Sequence, residues 1–336
     1  KMHRGMADMM KAMGSGKRRT SESSLAVHLG AAEQALADGE PEKARACLDR
    51  AIAEGVREAD IPRMALALAE TNRYLGRHKD SLAWIDRRLA QSPSPKARAV
   101  LLRARITSLR GIDTHAILDQ AAKALGAAWA AHDMESYAAV LMAGAFAAYR
   151  KGDAHAAQKF TRLADPIKFV TLPSQIHAIR ARMFAETVSG RAESAMAFSR
   201  EALGKQLELG DYGAAANEGN NVAEHLIELG RPAEAQEQAE QAADLAARAG
   251  HRLVAKYAHV LQASAIAEQG RRDEGIALLR DAGVNHSTHA LSADSAVRFA
   301  FWLVDRSNLG DAEEAASVLT VAIAPSTGKV LAGPLL

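Results

Sequence analysis

The chain has 336 residues, 48% hydrophobic but only 4% aromatic, with 42 Lys and Arg against 40 Asp and Glu. That near-neutral total excludes general nucleic-acid binding by the body of the protein, which would need a concentrated basic surface to displace counterions from phosphates. The single cysteine, Cys47, excludes an internal disulfide framework and suits a reducing, cytoplasmic setting, and no apolar run is long enough to span a bilayer.

The N-terminus, KMHRGMADMMKAMGSGKRRT, is Met-rich and basic. Within residues 1–24, Lys1, Arg4, Lys11, Lys17, Arg18 and Arg19 oppose Asp8 and Glu22, a net of +4. The rest of the chain therefore sums to −2. Residues 1–20 are expected to be flexible or a remnant of an upstream region, and they are where nucleic-acid contact is expected if there is any. GSGKRR lacks both the first Gly of a phosphate loop and the Ser or Thr after its Lys.

A repeat follows. Gly39, Gly76, Gly111, Gly152, Gly190, Gly230, Gly270 and Gly310 lie 35 to 41 residues apart. Five residues after each stands a small residue: Ala44, Ser81, Ala116, Ala157, Ala195, Ala235, Gly275 and Ala315. Twelve after, Ala recurs at 51, 164, 202, 242, 282 and 322, with Arg88 and Lys123 as exceptions. Each Gly suits the left-handed end of a first helix. Pro41 and Pro232 suit the first turn of a second helix, and Asp153 and Asp311 suit its N-cap, Asp311 with Glu314 at capping-box spacing. Small residues seven apart share one face and let paired helices approach to roughly 8–10 Å.

The turn Gly with its two small positions resembles the tetratricopeptide repeat, over about residues 21–325 as eight helix pairs. The period is near 40 rather than about 34, consensus aromatics are sparse, and the unit-ending proline appears mainly as Pro93. NEGNNVAEHLIELGRPAEA is similar to the long-period repeats of bacterial transcription regulators and peptide sensors. The competing all-helical array at this period is the HEAT or armadillo type; the small-residue turn favours the tetratricopeptide reading. The resemblance implies an all-α, right-handed superhelix whose first helices line a concave groove, followed by a tail at 326–336. It implies no enzyme, cofactor or metal site, and a peptide or protein segment as partner, with the chain acting as the sensory or assembly part of a bacterial regulator.

Carrying over the family's groove positions, counted back from each turn Gly, selects a lining. Thirteen before lie Arg63, Arg98, His177, Asn217 and Tyr257; ten before lie Leu66, Leu101, Met142, Arg180 and Asn220. Six before lie Glu70, Arg105, Phe146, Phe184 and Glu224; three before, Arg73 and Tyr149 also qualify. Asn217 and Asn220 suit a peptide backbone, which needs donors and acceptors together. Phe146 and Phe184 serve equally as core residues.

Residues 87–112 hold seven Lys or Arg and no acid, so Arg98 and Arg105 beside Arg63 and Arg73 would make a dock for an acidic partner, a phosphate or nucleic acid. The alternative is a solvated basic face balanced by acids of other repeats. The family's carboxylate clamp is missing, since Leu29/Glu33, Leu66/Glu70 and Leu101/Arg105 stand where its Lys and Asn would be. His286 and His289 lack carboxylate or thiol support for a metal. Cys47 falls among packing residues. The terminal repeat is apolar for a solenoid end, so Phe299, Trp302, Val318 or Val321 is expected in a homodimer contact within 296–325 or beneath the tail. A structural module that oligomerises through this repeat is the second functional reading.

Overall fold

The structure, a computed structural model, describes residues 25–281 except Ala37 and Gly111, and residues 293–323. Residues 1–20, His286, His289 and the tail 326–336 lie outside the described residues. The helices run from α1 (25–36) through α2 (Pro41–Glu54), α3 (Ile61–Leu75), α4 (His78–Ala90), α5 (Pro95–Leu109), α6 (Thr114–Ala130), α7 (Met134–Arg150) and α8 (Ala154–Ala164). They continue through α9 (Leu172–Val188), α10 (Ala192–Leu209), α11 (Tyr212–Glu228), α12 (Pro232–Arg248), α13 (Arg252–Glu268), α14 (Arg272–Asp281), α15 (Ala293–Arg306) and α16 (Asp311–Ile323). They pair as eight hairpins in a right-handed α–α superhelix.

The turn glycines end the first helices as expected. Gly39, Gly76, Gly152, Gly190, Gly230, Gly270 and Gly310 have φ from 67° to 87°. At Gly152, its N–H donates to Tyr149 O and that of Asp153 to Ala148 O, both at 2.9 Å, which satisfies carbonyls the helix leaves open. Second helices then start on caps: Asp153 accepts from Ala156 N at 2.9 Å, and Pro41 and Pro232 open α2 and α12. First helices are capped too, Asp133 accepting from Ser136 N at 3.0 Å and Asp211 from Ala214 N at 2.9 Å.

Two local expectations are corrected. In the third hairpin, Ile112 intervenes between Gly111 and the cap Asp113, which accepts from Ala116 N at 3.0 Å. The small-face positions shift by one, so Ile117 and Ala124 are buried rather than Ala116 and Lys123. In the last hairpin, Asp311 forms no capping box with Glu314. Its carboxylate turns back to Arg306 at 2.6 Å and to Asn308 N at 2.9 Å, while Glu314 pairs with Arg280.

The core is distributed. Ala44, Ala157, Ala195, Ala235 and Ala315 are buried, as are Ala51, Ala164, Ala202 and Ala242. First helices pack on their own second helices and on neighbouring first helices, as α3 on α5 and α7 on α9. Apolar clusters therefore step along the array, each shared by adjacent hairpins, so stability is nearly a nearest-neighbour sum.

The terminal repeat departs from expectation. Phe299, Trp302 and Val318 are buried in the core of α13–α16 and present no surface to a dimer; the expected cover by the tail falls outside the described residues. Val321's side chain lies outside the described residues. The exposed apolar residues of α15 are instead Val297, Phe301 and Val304, at 55%, 63% and 58% exposure.

The superhelix also returns on itself. The first hairpin's turn meets the link between α12 and α13 so closely that a Cβ on Gly39 would sit 3.0 Å from Gly250 O. Beside that contact the rings of Tyr74 and His251 lie 5.9 Å apart, and Leu36, Pro41 and Arg252 complete a cavity of ≈ 40 Å³.

Candidate ligand-binding wall

The first helices gather charge and aromatic surface inside the turn of the superhelix. From α3 come Glu70 and Arg73, paired at 2.8 Å, with the Arg73 guanidinium 4.3 Å from the centre of the Tyr74 ring. From the α5 side come Arg103, which meets Glu135 at 2.8 Å, and Arg110, 4.6 Å above the Phe146 ring. From α9 come His177 and Arg180, and Arg180 Nε lies 2.9 Å from Glu218 Oε1 of α11. The N–H of that last contact is not aligned for a hydrogen bond, so it is an ion contact only. Arg73, Arg103 and Arg180 keep 11%, 16% and 16% of their side chains exposed.

These groups feel one another. Burial, then Arg73 and Arg180, pushes the Arg110 guanidinium down to about 9 against the opposing pull of Glu70. Burial, then Arg103, Arg180 and Arg110, pushes the His177 imidazole well below its ordinary value, so it is neutral at pH 7. Burial would raise Glu70, but Arg73, with help from Arg110 and Arg103, holds it below the usual carboxylate range. An anion placed among these guanidiniums would meet donors already fixed in position.

An aromatic trio stands alongside. Phe146 and Phe184 meet edge-on at 5.2 Å, and Tyr149 stacks on Phe184 at 5.7 Å. Phe184 is fully buried and so packs rather than lining the wall; Phe146 is nearly so; Tyr149 is half-buried and carries the accessible part.

On α11 the asparagines separate into different roles. Asn217 and Glu224 are half-buried. Asn220 is buried and its amide donates to Val254 O of α13 at 3.3 Å, which makes it a strut between first helices. Asn221 donates to Glu218 at 3.0 Å and fixes that carboxylate for Arg180. Tyr257 is buried in the α13–α16 core.

Arg63 is exposed and paired with Glu33 of the neighbouring first helix α1 at 2.6 Å. Two arginines expected in the lining lie elsewhere. Arg98 and Arg105 border a crevice with residues of α4 and α6, which are second helices. The reason is rotation: Arg103 and Arg105 are two residues apart, about 200° round the helix. Sequence reasoning therefore missed Arg103 and Arg110. Neither residue stands at a position counted back from Gly111, and moving the count by one residue selects the buried Ala99, Leu102, Ile106 and Leu109 instead.

Among the described residues, no group of three His, Cys, Asp or Glu side chains is placed to hold a metal ion, and no helix is long and apolar enough to cross a membrane. No protein-family model and no curated protein sequence matches the chain. Among solved structures, it is similar to a Rap protein in a crystal structure complexed with competence and sporulation factor. The two share 14% identity and a TM-score of 0.55, over 90% of this chain and 88% of that one. At that identity the likeness speaks for the fold alone, a tetratricopeptide-like helical repeat.

Proposed function

We propose that this chain is a non-catalytic scaffold that binds a peptide or protein segment along its concave wall, as the sensory or assembly part of a bacterial regulator. The observation that carries the reading is the convergence of Arg73, Arg103, Arg110, His177 and Arg180, with their carboxylates, on one partly wetted wall beside Tyr149. A solenoid interior that served only packing would be apolar, because buried charge costs stability unless it is paired. Asn217 and Glu224 extend the wall with groups suited to a ligand backbone. The Rap protein's complex with competence and sporulation factor supports the reading that a superhelix of this kind holds a ligand. Pairing of Glu70 with Arg73 and of Glu218 with Arg180 leaves those carboxylates committed to arginines, which favours recognition over acid–base chemistry.

The test is retention of a random peptide pool on immobilised protein, read by mass spectrometry. Asn217→Ala/Glu224→Gln should lose most of what the wild type retains while keeping its helical circular dichroism. Equal retention by both proteins would remove the wall from the function.

A second reading, self-association, is favoured by Val297, Phe301 and Val304 at i, i+4 and i+7 on α15, the face on which a further hairpin would stack. Phe301→Asp would convert a sedimenting dimer to monomer; a wild type that sediments as monomer at all concentrations dismisses it.

A further inference from the structure

Within the basic stretch 87–112, Arg103 and Arg110 join the concave wall, whereas Arg98 and Arg105 do not. Both border an open crevice of ≈ 470 Å³ on the outer side of the superhelix, among α4, α5 and α6. Leu89, Ala90 and Leu102 give it an apolar floor; Asp86, Arg98, Arg105, Gln120 and Lys123 form the rim. Arg105 is held in place by Asp86 at 2.7 Å and by Gln120. Arg98 and Lys123 are exposed and meet no carboxylate among the described residues. The rim thus sets three cations against the single carboxylate of Asp86.

We propose that this convex crevice docks an acidic, amphipathic protein segment, with an apolar side chain on the Leu89–Ala90–Leu102 floor and flanking Asp or Glu side chains on Arg98 and Lys123. Charge complementarity selects the sign of the partner. The floor selects its class. A nucleic-acid backbone would engage the cations but leave the apolar surface uncovered, and it would need a longer basic track to release many counterions. An acidic segment carrying a Leu or Phe satisfies both halves of the site. Arg105, already fixed by Asp86, frames the crevice, while Arg98 and Lys123 do the reading. The surface lies across α5 from Arg103, so a docked partner and a concave ligand can be held together.

The probe is a short fluorescein-labelled peptide with leucines spaced among aspartates and glutamates, followed by fluorescence anisotropy. Arg98→Glu/Lys123→Glu alters two solvated side chains and leaves the fold intact, and it should weaken binding roughly tenfold or more. Lys151→Glu/Lys159→Glu makes the same change in net charge on other exposed sites and should leave binding unchanged, as should the concave-wall variant Asn217→Ala/Glu224→Gln. A peptide with Asn and Gln for its acids, and one with Ser for its leucines, should each bind more weakly. The inference is overturned if the acidic peptide does not bind, if both lysine- and arginine-reversal proteins behave alike, or if the leucine-free peptide binds as tightly. Loss of binding in Asn217→Ala/Glu224→Gln would overturn it too, by placing the probe in the concave wall. Tight binding of single-stranded oligothymidylate that Arg98→Glu/Lys123→Glu abolishes would give the surface to nucleic acid instead.

Discussion

Glu218 shows how the concave wall is held together. It is 1% exposed, lies 2.9 Å from Arg180 and accepts from Asn221 at 3.0 Å. Glu218→Gln would strand a guanidinium that is 16% exposed. Breaking a buried ion pair costs about 3–5 kcal/mol, and the partial wetting and misaligned N–H of Arg180 reduce that to about 2 kcal/mol. Urea denaturation should show the loss, and Arg180→Met/Glu218→Leu should recover most of it, because an apolar pair leaves no stranded charge. Histidines set the acid limit. Burial is the leading cause that lowers His78, His177 and His251 in the fold, with nearby arginines adding to it. Above the unfolded value of about 6.5 both states are neutral and these groups do not affect stability. Below it the unfolded chain takes up protons that the fold refuses, so stability falls with falling pH, by at most about 1.4 kcal/mol per pH unit for each histidine. His177→Gln should flatten the decline in melting temperature between about pH 6.5 and 5; an unchanged slope would count against the buried neutral imidazole.

Helices respond differently to the same substitution according to how closely they are approached. Gly275→Ala would place a Cβ 2.7 Å from Ala263 O, a backbone atom of α13 that cannot step aside. Overpacking of that kind costs about 1–3 kcal/mol, more than the gain of up to about 1 from a better helix former. At Gly204, inside α10, a Cβ meets nothing within 4 Å, so Gly204→Ala should stabilise by up to about 1 kcal/mol. Opposite signs in paired thermal melts are the expected outcome, and a shared sign would deny the tight α13–α14 contact. These helices were largely legible in the sequence because their ends obey local rules: Gly152 needs a left-handed residue and Asp153 needs only the amide of Ala156. The third hairpin was less so, since Ile112 displaced the turn by one residue and a helix turns each error into about 100° of rotation. That is why Ile117 rather than Ala116 is buried. Asn220 was legible as a polar residue of the first-helix layer, but its use as a strut to Val254 O depends on how far α13 lies from α11, which no local pattern encodes.

At the scale of the molecule, the contact that no repeat rule anticipates joins residues 211 positions apart, Gly39 and Gly250. A solenoid built from neighbour contacts can curl to many radii, because each interface absorbs a small rotation. Here the ends of one turn touch, and the touching side chains are few: Tyr74 and His251 face each other at 5.9 Å beside a cavity of ≈ 40 Å³. Tyr74 also carries the Arg73 guanidinium on its ring, which ties this seam to the charged wall. Tyr74→Ala/His251→Ala removes the facing rings but leaves every hairpin's own core intact. Helicity should therefore match the wild type and the urea midpoint should shift only slightly, as expected for a contact outside the nearest-neighbour sum. Small-angle scattering should instead show a larger radius of gyration, with amides of the α12–α13 link exchanging faster. Identical scattering and exchange would mean that neighbour packing alone sets the curvature and that the seam is only where two surfaces happen to meet. If the radius does grow, the pitch of the superhelix is set at Tyr74 and His251. A ligand that draws Arg73 away from Tyr74 would then alter the shape of the whole array by loosening one ring pair.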